Sequence, residues 1–227
     1  MVNILLEGYE IDRPWLYGEL RNYIHPNSRV AVIAFSFRDV RIPDANAWND
    51  FYGVGGIYYE GITRSLLSFG ISRENVTFLN YFSDTKEQAA EAVRQADILY
   101  FLGGLPDRMM ERIREFDLYD VLMAHSGVVM GYSAGAVIQL AEYHLSEDKD
   151  YPKFGYYEGL PYLNDFYLEV HYEATEAQKS AIRRVLEERK KPVYATACMK
   201  GAVIVDNGVI KTVGDVKKFG GSGEEIR

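Results

Sequence analysis

Four residue types in this chain could make or break a bond, and the first to consider is a serine. The stretch "VVMGYSAGAVIQL", residues 128–140, carries an apolar run into Ser133, which sits between Gly131 and Gly135, and then turns at once into a helical pattern. Serine caps helices well, so Ser133 reads either as an N-cap or as a nucleophile exposed on a strained strand-to-helix turn of the G-x-S-x-G kind. The five-residue pattern alone leaves both readings open. A serine hydroxyl attacks a carbonyl only with a base beside it. Of the four histidines, His25 lies in a turn context and His125 closes a helical pattern, where a positive ring suits the helix dipole. His144 is expected on the helix after Ser133, about three turns on and pointing away. His171, in "DFYLEVHYEAT", ends a strand-like run just before a capped helix, which is the right place for a base. A carboxylate should orient its ring, and Glu147, Asp148, Glu169 and Glu173 are the candidates.

A developing oxyanion would need backbone donors. One is expected from Ala134, just after the serine, and one from "YFLGGLPD", where a strand ends in Gly103-Gly104 and a helix starts near Pro106. A phosphate-binding loop is a poor reading of those glycines, because no Gly-Lys-Ser/Thr follows them.

These side chains need a frame that brings them together. Short apolar runs near residues 3, 29, 75, 96 and 127 read as strands, several of them apolar throughout, as in a parallel sheet covered on both faces. Helical patterns alternate with them: 13–24, 46–69, a run that Asp84 and Glu87 would open as a capping box, residues 105–124, and a run opened by Thr175 with Gln178. The alternation predicts a doubly wound α/β fold with a mostly parallel, flavodoxin-like sheet and helices on both faces. Asp206-Asn207-Gly208 predicts a C-terminal β-hairpin, and the glycine-rich end, 218–227, is expected to fray. Open sheets of this kind bind ligands beyond the carboxyl ends of their strands. Ser133 and the glycine turn should meet there.

Composition narrows the rest. The 227 residues, 48% of them apolar, suffice for one α/β domain with a sizeable core, and a single domain over 1–227 is expected. The single cysteine, Cys198, excludes an intramolecular disulfide and a cysteine-based zinc cluster, and it reads as a small buried hydrophobe. A net charge of −8 argues against nucleic acid or an anionic membrane as partner. No signal peptide and no apolar run of membrane-spanning length is evident, so a cytoplasmic protein without metal or cofactor is expected.

"GYSAGA" at 131–136, "FLGGLPD" at 101–107 and "FYLEVHY" at 166–172 together resemble the dipeptidase E and cyanophycinase-like family of serine peptidases. The resemblance covers most of the chain in order. It implies a class I glutamine-amidotransferase-like sheet, Ser133 as nucleophile, His171 as base, and Gly104 and Ala134 as the oxyanion donors. Two departures stand out. The family's glycine turn often reads Gly-Gly-Asn and here reads Gly103-Gly104-Leu105. The family often has an acid followed by glycine before the final hairpin, and here Lys200 precedes Gly201. Lys200 then reads either as an exposed turn lysine or as a ligand for a substrate carboxylate, and Asp148 becomes the first choice for the orienting acid.

The resulting expectation is a peptidase that cleaves small peptides through an acyl-enzyme, with a homodimer as a candidate assembly. Two rivals stand beside it: an α/β-hydrolase esterase, and a catalytically impaired amidotransferase-like binding protein. The 56 residues after His171 and the lack of a His-Gly-Gly motif speak against the esterase.

Overall fold

The structure is a computed structural model and describes residues 1–221. Strand β1 (Val2–Leu6) leads to helix α1 (Pro14–Leu20), β2 (Val30–Ile33), α2 (Ala45–Tyr52) and α3 (Ile57–Leu67). Then come β3 (Val76–Leu79), α4 (Lys86–Gln95), β4 (Ile98–Phe101), α5 (Pro106–Glu115), α6 (Tyr119–Met123) and β5 (Val128–Tyr132). Strands β1, β5, β4, β2 and β3 lie in that spatial order, all parallel. The predicted α/β architecture is therefore present. Successive residues of these strands serve opposite faces: Leu5, Ile33, Leu99 and Val129 meet α4, α5 and α6, while Ile4, Val32, Tyr100 and Met130 meet α1, α2 and α3. Period-2 alternation between two apolar faces is why these strands look apolar throughout in the sequence.

The second half adds α7 (Ala134–Val137), the two-stranded β6 (Glu142–Leu145) and β7 (Gly155–Glu158), then β8 (Tyr167–Glu169), α8 (Glu176–Glu188), β9 (Val193–Asp206) and β10 (Val209–Phe219). The hairpin of β9 and β10 turns at Asn207 and Gly208, both at positive φ, as expected for Asn-Gly. Only residues 202–206 of β9 pair with β1, antiparallel. Residues 193–201 therefore overhang the carboxyl edge of the parallel sheet. Strand β8 lies along this overhang, parallel to residues 193–195, so it runs back toward that edge.

Several local expectations need correction. The predicted helix over 46–69 is two helices, broken at Gly53, Gly55 and Gly56, where the chain leaves helical geometry. The capping box of α4 is formed by Thr85 and Gln88, one residue later than expected, because Asp84 spends its carboxylate on the Asn80 N–H. The box of Thr175 and Gln178 is present. Helix α7 is four residues long, so His144 lies on strand β6 rather than on a helix. Phe219, inside the tail expected to fray, is buried against Tyr167, Ile182 and Val193. The rest of that expectation, 222–227, lies outside the described residues. No helix among the described residues is long and apolar enough to cross a membrane.

Candidate active site

Ser133 stands where β5 ends and α7 begins, with φ 51° and ψ −114°. A non-glycine residue held there costs about 1–3 kcal/mol, so the surroundings must impose it. They do so by close approach. A Cβ on Gly131 would lie 2.1 Å from the Gly135 carbonyl oxygen, and one on Gly135 would lie 2.1 Å from that of Phe101. Only glycine at both places lets the turn close against β4. The Ser133 N–H donates to the Leu6 carbonyl (2.9 Å), which ties the turn to the end of β1. Behind it, the buried Gln139 side chain donates to the Gly135 carbonyl (3.0 Å) and accepts from Asn3 (3.0 Å).

The other half arrives on the overhang. Just beyond β8, His171 places Nε2 2.9 Å from Ser133 Oγ. Its Nδ1 lies 2.8 Å from a carboxylate oxygen of Glu7, the residue directly after β1. The side chain of Glu7 is only 1% exposed. The His171 N–H also donates to the Glu7 carboxylate (3.0 Å to Oε2), as does the hydroxyl of the buried Thr196 on β9. Helix α8 fixes the histidine from outside: the Gln178 side-chain amide donates to the His171 carbonyl (2.9 Å). His171, like Ser133, is at positive φ (53°). The Glu7 hydrogen bond raises the His171 pKa above its ordinary value, against the opposing pull of burial.

This corrects the expectation for the orienting acid. Asp148 does not touch His171. Its carboxylate accepts from the N–H groups of Asp150 and Tyr151, both at 2.7 Å, and so shapes its own loop. Glu169 accepts from Ser146 (2.8 Å) and pairs with the buried His144 (2.7 Å). Glu147 and Glu173 line the cavity beside Ser133 without reaching the histidine ring. Lys200 is exposed and lines neither cavity that opens on Ser133, which removes the basis for a substrate contact. Glu7 does not stand out in the sequence, because "NILLEG" reads as an edge-to-edge apolar strand. Its signal was nonetheless there: a carboxylate at the carboxyl end of a buried strand, one of the parallel strands that converge on the serine.

On the glycine turn, Gly104 has φ 144°, and a Cβ there would lie 2.3 Å from the Ser36 carbonyl oxygen. Gly104 and Ala134 both border one cavity that contains Ser133, and neither N–H has a backbone acceptor among the described residues. Two open N–H groups beside a hydroxyl that a histidine can deprotonate form a constellation suited to acyl transfer. Cys198 is exposed rather than buried, on the overhang, where it offers Sγ to a group with Glu7 and His171 whose ligand atoms lie within 4.8 Å of one another. The two carboxylate and imidazole atoms are already engaged with each other.

Two cavities flank Ser133. One, of about 690 Å³, is bordered by Glu147, Asp148, Asp150, Glu169 and Glu173 and is acidic. The other, of about 490 Å³, is walled by aromatic rings.

The fold and site thus combine a parallel sheet, a strained serine turn at its carboxyl edge, and a buried acid paired with a part-exposed histidine beside it. Residues 40–213 match peptidase family S51, and the chain belongs to that family. No curated protein matches the chain in sequence. Among solved structures, a candidate peptidase E protein from Listeria monocytogenes EGD-e is similar at a TM-score of 0.65 and 17% identity, covering 94% of this chain and 98% of that one. A peptidase from an acI-B1 actinobacterium is similar at a TM-score of 0.68 and 16% identity, covering 98% of this chain and 92% of that one. At such identity these likenesses speak to the fold. The family makes this chain a peptidase.

Proposed function

We propose that the chain is a serine peptidase that hydrolyses small peptides through an acyl-enzyme, with Ser133 as nucleophile, His171 as base and Glu7 as the orienting acid. The observation that carries this is the unbroken line from Ser133 Oγ to His171 Nε2 (2.9 Å) and from His171 Nδ1 to Glu7 (2.8 Å). In this reading Nδ1–H donates to Glu7, which leaves the Nε2 lone pair facing the serine hydroxyl. As Oγ attacks the scissile carbonyl carbon, its proton passes to Nε2. The carbonyl oxygen becomes an oxyanion held by the N–H groups of Gly104 and Ala134. The imidazolium, supported by Glu7, then gives its proton to the leaving amine, and the C–N bond breaks. Water, deprotonated by the same Nε2, attacks the ester carbonyl and releases Ser133.

The binding-protein alternative rested on Lys200 standing where an acid was expected. Glu7 supplies a carboxylate to the histidine from β1, and that motive lapses. The cytoplasm is the proposed place of action. The test is a fluorophosphonate probe followed by peptide mapping, together with hydrolysis of unblocked dipeptides. Labelling of Ser133 in the native protein and not after unfolding is expected, with turnover lost on labelling. Turnover that survives complete labelling would sink the assignment.

A further inference from the structure

The aromatic cavity has no part in the chemistry just described, yet it opens on the same serine. Its walls come from three stretches that are far apart in sequence: Tyr9 after β1, Phe51, Tyr52 and Tyr58 at the junction of α2 and α3, and Tyr132 at the end of β5. The rings are locked together. Tyr9 meets Tyr58 and Tyr132 edge-to-face at 6.1 and 5.9 Å, and Tyr52 stacks on Tyr58 at 5.5 Å. Such geometry is worth its own stabilisation and leaves a preformed apolar recess rather than one that must open. Gly103, Gly104, Ser133 and His171 form its inner end. Of the charged groups at its border, Arg38 forms a two-fold pair with Asp150, Glu10 pairs with Arg13 and Glu7 with His171, while Arg41 lies with its guanidinium 4.6 Å from the Phe51 ring centre and has no carboxylate partner among the described residues. A group that enters here meets chiefly ring faces and edges, with the Arg41 guanidinium at the border.

Resting on the serine-peptidase reading above, we infer that this recess is the side-chain subsite next to the scissile bond and that it takes an aromatic side chain of the substrate. Its about 490 Å³ holds one such ring together with the adjoining backbone. A stacked or edge-on ring there exchanges water for aromatic contact on several sides.

The experiment uses two unblocked dipeptide series, X-Gly and Gly-X, with X as Phe, Ala and Asp, on the wild-type protein and on Tyr58→Ala. Fluorophosphonate labelling of Ser133 is followed in parallel as a readout that needs no peptide side chain in the recess. In one of the two series, kcat/KM for Phe should exceed that for Ala by on the order of 10- to 100-fold, the range that burying one aromatic ring supplies. Tyr58→Ala should lower the Phe value about 10-fold or more, leave the Ala value within about 2-fold, and label at the wild-type rate. Phe51→Ala, at a half-buried wall position, repeats the test should Tyr58→Ala fold poorly. A preference for Asp, or equal values across X in both series while Ser133 labels normally, overturns the aromatic subsite and leaves the peptidase reading intact. Failure of Ser133 to label at all, with peptides still turned over, strikes the assignment of Ser133 as nucleophile instead.

Discussion

Ser133 and His171 come within hydrogen-bond distance, but the two sides of that contact are built by opposite means. The serine side is local and tight. Residues 128–137 supply the strand, the turn and the helix, and glycines at 131 and 135 permit contacts that any side chain would forbid. The histidine side is assembled from afar. Glu7 and His171 are 164 residues apart, and Glu7 and Thr196 are 189 apart. On the serine side, backbone sterics set the position. On the histidine side, three donors converging on one buried carboxylate set it. The lesson is that a reactive side chain can be placed by what the backbone excludes or by what a charge collects, and that only the first leaves a compact mark in the sequence.

The comparison can be broken most sharply at the serine. Ser133→Ala should cut dipeptide turnover by at least about 10,000-fold and abolish fluorophosphonate labelling, while circular dichroism stays unchanged. Gly135→Ala should damage the same side through folding, with loss of soluble protein or a large fall in Tm, because its methyl would fall on the Phe101 carbonyl.

Next comes the acid. Glu7→Gln keeps the shape but loses the charge behind His171, and should lower kcat by on the order of 1,000- to 10,000-fold. Asp148→Ala should stay within about 3-fold of wild type, because its bonds are to its own loop. Steady-state kinetics on the two variants decides between them, and equal losses would restore Asp148 to the site.

A gentler probe is pH. His171 must be neutral to accept a proton, and Glu7 holds its pKa above the ordinary value of about 6.5. The acid limb of kcat/KM should therefore have its midpoint above about 6.5 and shift down in residual Glu7→Gln activity. Stability should move the opposite way. A histidine whose folded pKa is raised stabilises the fold fully below its unfolded value and loses that contribution as pH rises through the folded one. The Tm gap between wild type and Glu7→Gln should then be widest below about pH 6.5 and narrow as the pH climbs.

The smallest effect is expected at Thr196. Thr196→Val removes one of the donors to Glu7 and leaves the others. A loss of about 10-fold in kcat with KM unchanged would mark it as a positioning residue, and a change in KM alone would place its influence elsewhere.

What could be read in the sequence follows the same division. The strand–helix alternation, the Asn207-Gly208 hairpin and the Ser133 turn are written in neighbouring residues, and they are all present. His171 was legible because a capped helix follows it, and that helix does clamp it through Gln178. Glu7 was not, since nothing near residue 7 shows that β9 will bring Thr196 to it. Cys198 was misplaced for a related reason. "PVYATAC" is apolar enough for a core strand, but β1 pairs only with residues 202–206, and the overhang leaves Cys198 at the surface. His144 was misplaced because the glycines that shape the serine turn are followed by a helix of one turn, which composition alone does not shorten.

The overhang of β9 also imposes a schedule. Synthesis delivers Glu7 first among these residues and Thr196 last, and β1 lacks its antiparallel neighbour until residues 202–206 have emerged. Ser133 and its glycines can be folded against β4 and β5 long before that, with the histidine still unanchored. A growing chain thus carries Ser133, the proposed nucleophile, before the contacts around the Glu7 carboxylate are complete. In the proposed mechanism, hydrolytic competence then waits until β9 has docked on β1 and brought Thr196 to Glu7.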